Sequence, residues 1–265
     1  MGNARVKEAR KLSRRSVRSE RRLFLADGPK AVEAALGVEG CVVEVFATAQ
    51  ATDRYAALRD AAPVWAVLAD RALASLSDSV TPAGVVAVCR FLDVSWSSLV
   101  EEGRSPVARP GELALVAVCA DVRDPGNAGT VIRTADAAGA DAVVLAGSSV
   151  DAYNPKTVRA SVGSLFHLPL VVEPDTPAAV AAARAAGLTV LAADGNGEVS
   201  LDEAGDLLGR RTAWLFGNEA WGLPPDVAAL ADHRVRIPIH GRAESLNLST
   251  AAALCLYASA SSHRR

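Results

Sequence analysis

Polar side chains that can bind an anion or hold a hydroxyl group follow apolar stretches at three places in the chain. Arg133 comes shortly after the loop 122–129, Glu219 lies in the loop 217–222, and Asn247 precedes an alanine-rich stretch. An arginine donates hydrogen bonds to anions, a carboxylate accepts them, and a side-chain amide does both. Ligands of open α/β sheets bind where loops leave the carboxyl ends of strands. These three places are therefore candidates for one site.

Arg133 is predicted to lie on the open face of a helix. The helix covers roughly residues 130–138, and Val131, Ala135 and Ala138 form its buried stripe. At about 100° per residue, Arg133 lies about 200° around the helix from Val131. It could engage an anion, or it could be an ordinary exposed arginine. The preceding loop has neither G-x-G-x-x-G nor G-x-x-x-x-G-K-[ST], which disfavours dinucleotide and P-loop nucleotide binding.

The loop 217–222 follows a predicted apolar strand, residues 213–216. Gly217 offers a backbone that a flat ligand can approach closely, and Glu219 adds a carboxylate beside it. We expect Gly217 to lie against such a ligand. A tight turn that carries a solvated glutamate is the alternative interpretation.

The third stretch combines a short predicted strand at 235–239, a polar loop at 240–245 and a helix of small residues. Ser245 and Asn247 flank the start of this helix, where their side chains either cap it or face a ligand. Because alanines let neighbouring backbone approach closely, we expect the helix to be deeply buried.

The composition is that of a globular protein. The chain has 265 residues, of which 50% are hydrophobic, so it can form one large domain or two ordinary ones. Its net charge of −2 does not by itself indicate a nucleic-acid-binding protein. The four cysteines show no metal-ligand spacing and are predicted to be buried thiols in a reducing compartment. With no apparent signal peptide or transmembrane run, we expect a cytoplasmic protein without a metal site.

Alternating strands and helices predict an α/β fold. Residues 112–265 predict a mainly parallel sheet, and residues 23–92 predict a smaller α/β domain in front of it. The segment 93–111 is rich in Ser, Pro and Gly and is predicted to be a linker. Residues 1–22 carry nine Lys and Arg against two Glu, several at helical spacing. They are predicted to form a separate basic arm that contacts RNA phosphates, with a solvated terminal helix as the alternative.

Three motifs in these stretches resemble those of the SpoU (TrmH) family and occur in that family's order. They are Asn127-x-Gly129-x-x-x-Arg133-Thr-Ala, Phe216-Gly-Asn-Glu219-x-x-Gly222 and Ile237-Pro-x-x-x-x-x-Glu244-Ser-Leu-Asn247-Leu-Ser. The segment Asn154-Pro-Lys-x-x-Arg-Ala-Ser161 also resembles the family. Its members are S-adenosylmethionine-dependent RNA 2′-O-ribose methyltransferases. The resemblance implies that activity, that cofactor and a trefoil-knotted (SPOUT) methyltransferase domain over residues 112–265.

The same resemblance implies roles for individual residues. Arg133 would act on the ribose hydroxyl and the adjacent phosphate, and four other polar residues would shape the catalytic site. The implied catalytic set is Arg133, Asn127, Glu219, Asn247 and Ser245. Backbone groups around the second and third motifs would hold the cofactor. The implied cofactor-binding set is Gly217, Ile237, Leu246, Asn218 and Leu248.

Residues 23–92 resemble the L30e-like substrate-binding domain that stands in front of many SpoU enzymes. The matching pieces are Phe24-Leu-x-Asp-Gly28-x-x-x-Val and Thr81-Pro-x-Gly84-Val-Val-Ala-Val. This layout implies ribosomal (23S) RNA as the substrate and a homodimer formed through the knotted domain, with no membrane. The alternatives are a tRNA ribose methyltransferase, a base methyltransferase of a related knotted family, and an inactive RNA-binding protein of the same fold.

Overall fold

The computed structural model describes residues 2–100 and 113–264, so the predicted linker 93–111 lies partly outside the described residues. The chain divides into two compact units. The first contains the residues up to Leu92 together with Asp151–His167, and the second contains Asp93–Val150 and the residues from Leu168 onward. Each unit has its own sheet and its own apolar core.

The helices and strands alternate along the described residues, as the sequence predicted. In chain order they are α1 (Gly2–Arg10), α2 (Arg15–Arg21), β1 (Leu23–Asp27), α3 (Pro29–Leu36), β2 (Val42–Thr48), α4 (Ala49–Arg54), α5 (Ala56–Ala61), β3 (Trp65–Leu68), α6 (Asp70–Ala74), β4 (Val85–Arg90), β5 (Asp93–Val94), α7 (Trp96–Val100), β6 (Leu115–Ala120), α8 (Pro125–Ala138), β7 (Ala142–Ala146), α9 (Pro155–Ser161), β8 (Leu170–Glu173), α10 (Thr176–Ala185), β9 (Thr189–Ala193), β10 (Val199–Ser200), α11 (Gly205–Leu208), β11 (Thr212–Phe216), α12 (Pro225–Ala228), β12 (His233–Arg236) and α13 (Leu248–His263).

The first unit is built on a four-stranded sheet with the order β1-β4-β2-β3. Strands β2 and β3 are parallel, whereas β4 runs antiparallel to both of its neighbours. Strands β1, β2 and β3 therefore end at the same edge of the sheet at which β4 begins. The buried residues of these strands are mainly Val, Ala and Phe, which suit a pleated surface covered by helices.

The basic N-terminal segment packs on the first unit and is not a separate arm. Val6, Ala9 and Leu12 are buried in one cluster with the sheet residues Leu25 and Phe46. Residues 1–22, predicted as a basic arm apart from the domain 23–92, are therefore part of the same compact unit as that domain. The same segment has apolar residues at positions 6, 9 and 12, in addition to its regularly spaced charges. Burial of these apolar residues determines where the helix packs.

Arg18 fixes this segment to the first unit through a buried ion pair. Its side chain is 3% exposed, and its Nη2 and Nε donate to Asp151 Oδ2 at 2.6 and 3.0 Å. Its Nη1 also donates to the carbonyl oxygens of Leu12 and Ser13, both at 2.8 Å. The pair is thus fully hydrogen bonded, as a buried charge requires.

The segment 151–167 belongs to the first unit, although the strands β7 and β8 on either side of it belong to the second. Besides the ion pair of Asp151, Tyr153 is buried and its ring stacks on Phe91 with centroids 3.8 Å apart. The hydroxyl of Tyr153 accepts a hydrogen bond from Leu92 N at 2.7 Å. Residues 112–265, predicted as one domain, thus contribute one segment to the first unit, and sequence continuity does not reveal which core a segment joins.

The second unit is an eight-stranded sheet in which every neighbouring pair is parallel. Its order is β10-β12-β9-β11-β6-β7-β8-β5, so sequential strands are not always neighbours. The parallel α/β sheet predicted for this region is confirmed. Because all strands point the same way, the loops that follow β9, β11 and β12 meet at one edge.

Two boundaries, and the burial of one helix, differ from the predictions. Helix α8 starts at Pro125, since the Asp124 side chain caps it by accepting from Asn127 N at 2.8 Å. Asn127 and Gly129 therefore lie in the first helical turns and not in a loop. Strand β12 ends at Arg236, two residues before a proline. Helix α13 packs against α8, but its Leu254 and Tyr257 remain exposed, so it is less buried than predicted.

The four cysteines are buried free thiols, as predicted. Burial raises the pKa of Cys119 to about 12, so this thiol stays protonated and is not a nucleophile at neutral pH. None of the helices in residues 2–100 and 113–264 is long and apolar enough to cross a membrane. The described residues also contain no group of side chains arranged to bind a metal ion.

Candidate active site

A cavity of about 260 Å³ lies at the carboxyl ends of three adjacent parallel strands, β9, β11 and β12. Its walls combine exposed backbone at glycines, aliphatic side chains and three carboxylates. The lining residues are Ala193, Asp194, Gly195, Phe216, Gly217, Asn218, Glu219, Ala220, Gly222, Val235, Ile237, Ile239, Glu244, Ser245, Leu246, Leu248 and Ala251. A cavity with apolar walls and a few polar groups suits a small molecule with both kinds of surface.

The loop after β11 is a tight turn closed by its own backbone. Asn218 N donates to Gly222 O and Gly222 N donates to Asn218 O, both at 2.9 Å. A Cβ at Gly217 would lie 2.3 Å from the carbonyl carbon of Gly222. The turn therefore requires glycine at 217 for its own packing. Gly217 lines the cavity as expected, but the space beside its Cα is filled by the protein and not by a ligand.

Asn218 ties this turn to the strand β6. Its Nδ2 donates to the carbonyl oxygen of Asp121 at 2.7 Å, and its Oδ1 accepts from Ala220 N at 2.8 Å. Asp121 directly follows β6 and has a left-handed backbone with a φ of 55°. Asp121 Oδ1 accepts from Ser148 N at 2.7 Å. The side chain of Asn218 is thus used in holding loops together, and its backbone is what lines the cavity.

Glu219 reaches from this turn to the beginning of α8. Its carboxylate accepts from the backbone N–H groups of Arg123 and Asp124, each at 3.0 Å, and from Asn127 Nδ2 at 3.2 Å. Partial burial raises the pKa of Glu219, but these hydrogen bonds outweigh it and leave the pKa below its ordinary value. The carboxylate is therefore ionised at neutral pH and stabilises the positive end of the α8 helix dipole.

Asn247 completes a hydrogen-bonded chain that joins all three motifs. Its Nδ2 donates to Asn127 Oδ1 at 3.0 Å. Its Oδ1 caps α13 by accepting from the backbone N–H of Ser249 at 2.9 Å and of Thr250 at 3.3 Å. Glu219, Asn127 and Asn247 thus link the loop after β11 and the starts of α8 and α13. Asn247 therefore both caps the helix and takes part in the site, because its Oδ1 accepts from the helix backbone and its Nδ2 donates to Asn127.

The structure brings most of the predicted residues to one place. All five residues of the implied cofactor-binding set line the cavity: Gly217, Ile237, Leu246, Asn218 and Leu248. Of the implied catalytic set, Glu219 and Ser245 line it as well, and Asn127 and Asn247 are joined to Glu219 by hydrogen bonds.

Arg133 stands apart from this hydrogen-bonded chain. Its side chain is exposed on α8, nearly two helical turns after Asn127. As predicted, Val131, Ala135 and Ala138 are buried on the opposite face. Within the described parts of the chain, the guanidinium of Arg133 has no hydrogen-bond or ion-pair partner, so all of its donors are available to a ligand.

Sequence reasoning missed the contribution of β9 to the cavity. Asp194 and Gly195, directly after that strand, line the cavity. Asp194 Oδ1 accepts a hydrogen bond from Asn196 N at 2.9 Å, and Asp194 Oδ2 lies 3.8 Å from Arg234 Nη1. The signal was present in the sequence as an aspartate–glycine turn after a buried strand. This turn can be assigned to the cavity only from the strand order, in which β9 lies between β11 and β12.

Comparison with known proteins identifies the family. The family model described as the SpoU rRNA methylase family matches residues 114–257, which include all three motifs. The model of the MRM3-like substrate binding domain matches residues 3–87. The chain belongs to the SpoU rRNA methylase family. The second match begins inside the basic N-terminal segment, in agreement with the packing of that segment on the first unit.

Two relatives of this SpoU protein are named as 23S rRNA methyltransferases, and the first of them aligns over nearly the whole chain. It is 34% identical to the 23S rRNA (guanosine(2553)-2′-O)-methyltransferase RlmP of Bacillus subtilis over 260 residues, covering 96% of this chain and 95% of RlmP. It is 38% identical to a 23S rRNA (uridine(2479)-2′-O)-methyltransferase of Streptomyces viridochromogenes over 186 residues, covering 60% of this chain and 63% of that protein.

Solved structures agree with the fold. The SpoU methyltransferase AviRb from Streptomyces viridochromogenes in complex with AdoMet superposes with a TM-score of 0.84 at 29% identity, covering 97% of both chains. An AdoMet-bound rRNA methyltransferase from Sinorhizobium meliloti gives a TM-score of 0.82 at 32% identity, covering 98% of this chain and 95% of that one. The predicted family, fold class, cofactor and RNA ribose methyltransferase activity are confirmed by these matches.

Proposed function

We propose that this SpoU-family enzyme methylates a ribose 2′-oxygen of 23S ribosomal RNA with S-adenosylmethionine, using the cavity at β9, β11 and β12 as its cofactor site. The observation that carries the proposal is the hydrogen-bonded chain Glu219–Asn127–Asn247, which joins three motifs distant in sequence at the mouth of that cavity. Hydrogen bonds of this kind hold loops in one arrangement before any ligand arrives.

The residues that line the cavity fit the cofactor. Aliphatic side chains such as Val235, Ile237 and Leu246 offer a surface for a flat adenine ring. The carboxylates of Asp194 and Glu244 can accept hydrogen bonds from the hydroxyl and ammonium groups of the cofactor and stabilise its positive charge. We propose that the backbone of Gly217, Asn218, Ile237, Leu246 and Leu248 supplies the remaining hydrogen bonds.

Arg133 is proposed to act directly on the RNA. S-adenosylmethionine supplies a methyl group on a sulfonium, so the electrophile belongs to the cofactor. The protein must hold the ribose hydroxyl in line and stabilise the negative charge that develops as its proton leaves. Arginine stays protonated in proteins, so Arg133 is an electrostatic stabiliser and not the base. Its planar fork can hold the 2′-oxygen and a phosphate oxygen together, and the proton can pass to the phosphate.

The other polar residues of the implied catalytic set are proposed to position this chemistry. Glu219 and Asn127 hold the first turns of α8, on which Arg133 lies, and Asn247 fixes the start of α13 beside them. Ser245 lines the cavity with an exposed side chain that can contact substrate or cofactor. Because a misplacement of about 1 Å can slow a reaction strongly, we expect that losing these contacts would displace Arg133 and slow methyl transfer.

Two architectural properties of the family form part of the same proposal. A homodimer through the second unit is supported by two apolar side chains that stay exposed on α13, Leu254 and Tyr257. A trefoil knot is supported by the return of the chain after β12, which packs α13 against α8 near the middle of the sheet. Sedimentation equilibrium would report the dimer, and Leu254→Glu should shift it to monomer.

Ribosomal RNA is favoured over tRNA because of the first unit. A structure titled as concerning 2-OH methylation of C/U34 on tRNA aligns with 58% of this chain at 32% identity and a TM-score of 0.50. The relatives named as 23S rRNA enzymes include one that matches 96% of the chain. A substrate in the ribosome also accords with the cytoplasmic location expected from the sequence.

Mass-spectrometric mapping of ribose methylation tests the proposal. RNA from cells that lack the protein should have lost one 2′-O-methyl nucleotide of 23S rRNA, and purified protein with S-adenosylmethionine should restore it on an unmodified transcript. Loss from tRNA instead would identify a tRNA enzyme. Binding of both RNA and cofactor without any methylation would identify an inactive RNA-binding protein.

A further inference from the structure

A second cavity, of about 280 Å³, lies within the first unit at the edge where β2 and β3 end and β4 begins. It is remote in sequence from the three motifs and takes no part in the chemistry described above. Its lining residues are Thr48, Gln50, Ala51, Arg54, Asp70, Leu73, Ala74, Pro82, Ala83 and Gly84.

The floor of this cavity is apolar and closely packed. Gly84 has a φ of +81°, and a Cβ there would lie 2.9 Å from Thr48 Oγ1 and 3.1 Å from Ala51 Cβ. The strand β4 can therefore begin close against α4 only with glycine at this position. Leu73 is 1% exposed and closes the floor from α6. The floor is thus formed by Gly84, Ala51 and Leu73, held by close backbone packing.

The rim carries polar side chains without partners. Gln50, Arg54 and Asp70 are exposed, and none of them forms a hydrogen bond or ion pair with another described residue. The guanidinium of Arg54 lies 5.4 Å from the centroid of the Tyr55 ring. The deeper Thr48 hydroxyl is already used, since it accepts from Ala51 N at 3.1 Å. A cation, an amide and a carboxylate thus surround one apolar floor with free hydrogen-bonding capacity.

We propose that this cavity holds one unstacked nucleotide of the substrate RNA. The base would lie against the apolar floor, Gln50 and Asp70 would hydrogen bond with its edge, and Arg54 would bind the phosphate of the same nucleotide. Single-stranded RNA is recognised in this way, by splayed bases that are placed on apolar surfaces and read at their edges. The inference rests on the proposed function, because it assumes that the enzyme acts on RNA.

Equilibrium binding of an unmodified 23S rRNA transcript to the full-length protein, over a series of salt concentrations, tests this inference. Gln50→Ala should weaken binding about five- to a hundredfold, the range expected for a base contact, without changing the salt dependence. Arg54→Gln should weaken binding and also lower the log–log salt slope by about 0.7, the value for one phosphate on a single strand. The affinity for S-adenosylmethionine should stay unchanged in both variants.

Arg59→Gln is the matched control, because Arg59 is an exposed arginine on the neighbouring helix α5, is paired with Asp60 and does not line the cavity. Unchanged thermal unfolding would show that all three variants are folded. If Gln50→Ala and Arg54→Gln bind the transcript as Arg59→Gln does, RNA does not use this cavity. Tighter binding of free uridine or guanosine monophosphate than of RNA would assign it to a free nucleotide. Absence of methylation by the parent protein would contradict the proposed function and not this inference.

Discussion

Two arginines in comparable helical settings have opposite surroundings. Arg18 in α2 is buried, with Asp151 and two backbone carbonyls as its partners. Arg133 in α8 is exposed, and no described residue of the protein satisfies its guanidinium. From the sequence, Arg133 was assigned to RNA by itself, and Arg18 as one of the basic residues of the segment 1–22. The structure shows that Arg18 acts within the fold, whereas Arg133 is left free for a ligand.

The regions around the two arginines differ in the same way, in whether their charged side chains have partners within the protein. In the N-terminal helices, Arg5 pairs with Glu44, and Lys11 and Arg21 pair with Glu8. The hydrogen bonds from Lys11 and Arg21 depress the pKa of Glu8 to about 2. At the cavity of the second unit, Glu219, Asn127 and Asn247 instead hydrogen bond with one another, and Arg133 has no partner among the described residues. The number of charges in a segment therefore says little about how many are available to a partner.

Replacing Arg18 by Met should produce the largest loss of stability. It leaves the Asp151 carboxylate buried without its cation, which typically costs about 3–5 kcal/mol. The free energy of unfolding from urea titration should fall by that amount. Asp151→Asn added to Arg18→Met should recover part of the loss, since the unpaired charge is removed. An unchanged unfolding free energy for Arg18→Met would show that Arg18 is not the structural counterpart of Arg133.

Arg133→Lys should have the opposite effect to Arg18→Met: the rate of methyl transfer should fall strongly, and the free energy of unfolding should not change. Losing one preorganised donor to a developing oxyanion typically costs on the order of 10²–10³ in rate. Because the lysine keeps the charge, RNA affinity should change little, whereas Arg133→Ala should lower both affinity and rate. Single-turnover methylation with parallel binding measurements at fixed salt separates these effects. Methyl transfer at the parental rate by Arg133→Lys would contradict the role proposed for the planar guanidinium.

Features that depend on neighbouring residues in the sequence were predicted more successfully than features that depend on residues far apart in it. Strands, helices and the buried stripe Val131, Ala135 and Ala138 follow from local periodicity and were predicted correctly. The place of Asp194 in the cavity was missed, because it depends on β9 lying between β11 and β12. The attachment of the N-terminal helices was missed for the same reason, since Asp151 is 133 residues away from Arg18. The resemblance of the three motifs to those of a known family predicted that they form one site, which hydrophobic periodicity could not predict.

Glu219→Gln should cause a smaller, pH-dependent loss of stability. The amide replaces one oxygen that accepts from backbone N–H groups by a donor, and the loss should be about 1 kcal/mol because the side chain is exposed. The folded-state pKa of Glu219 is lowered, so its contribution is present above the ordinary pKa of about 4.3 and is lost as the pH falls through the folded value. Urea unfolding from neutral to acidic pH should show the two proteins converging below about pH 4. A constant difference down to the lowest pH would show that the carboxylate charge is not involved.

Asn247→Asp separates the cap of α13 from the link to Asn127. Aspartate can still accept from Ser249 N and Thr250 N, so the thermal unfolding midpoint should be kept. The donor to Asn127 Oδ1 is lost, and S-adenosylmethionine affinity measured by calorimetry should fall about three- to tenfold, as for one hydrogen bond. Asn247→Ala should lose both, with an additional cost of about 1 kcal/mol for the missing cap. Unchanged cofactor affinity in Asn247→Asp would limit Asn247 to its capping role.

The smallest expected effect concerns the exposed charges of the N-terminal helices. Lys7, Arg10, Arg14 and Arg15 are exposed and have no partner among the described residues, whereas Lys11 is paired with Glu8. If availability decides which charges meet RNA phosphates, Arg10→Gln should lower the log–log salt slope of 23S rRNA binding by about 0.7. Lys11→Gln removes the same charge from the neighbouring position and should leave the slope nearly unchanged. Equal slopes for the two variants would mean that total charge, and not the absence of an internal partner, governs RNA contact in this segment.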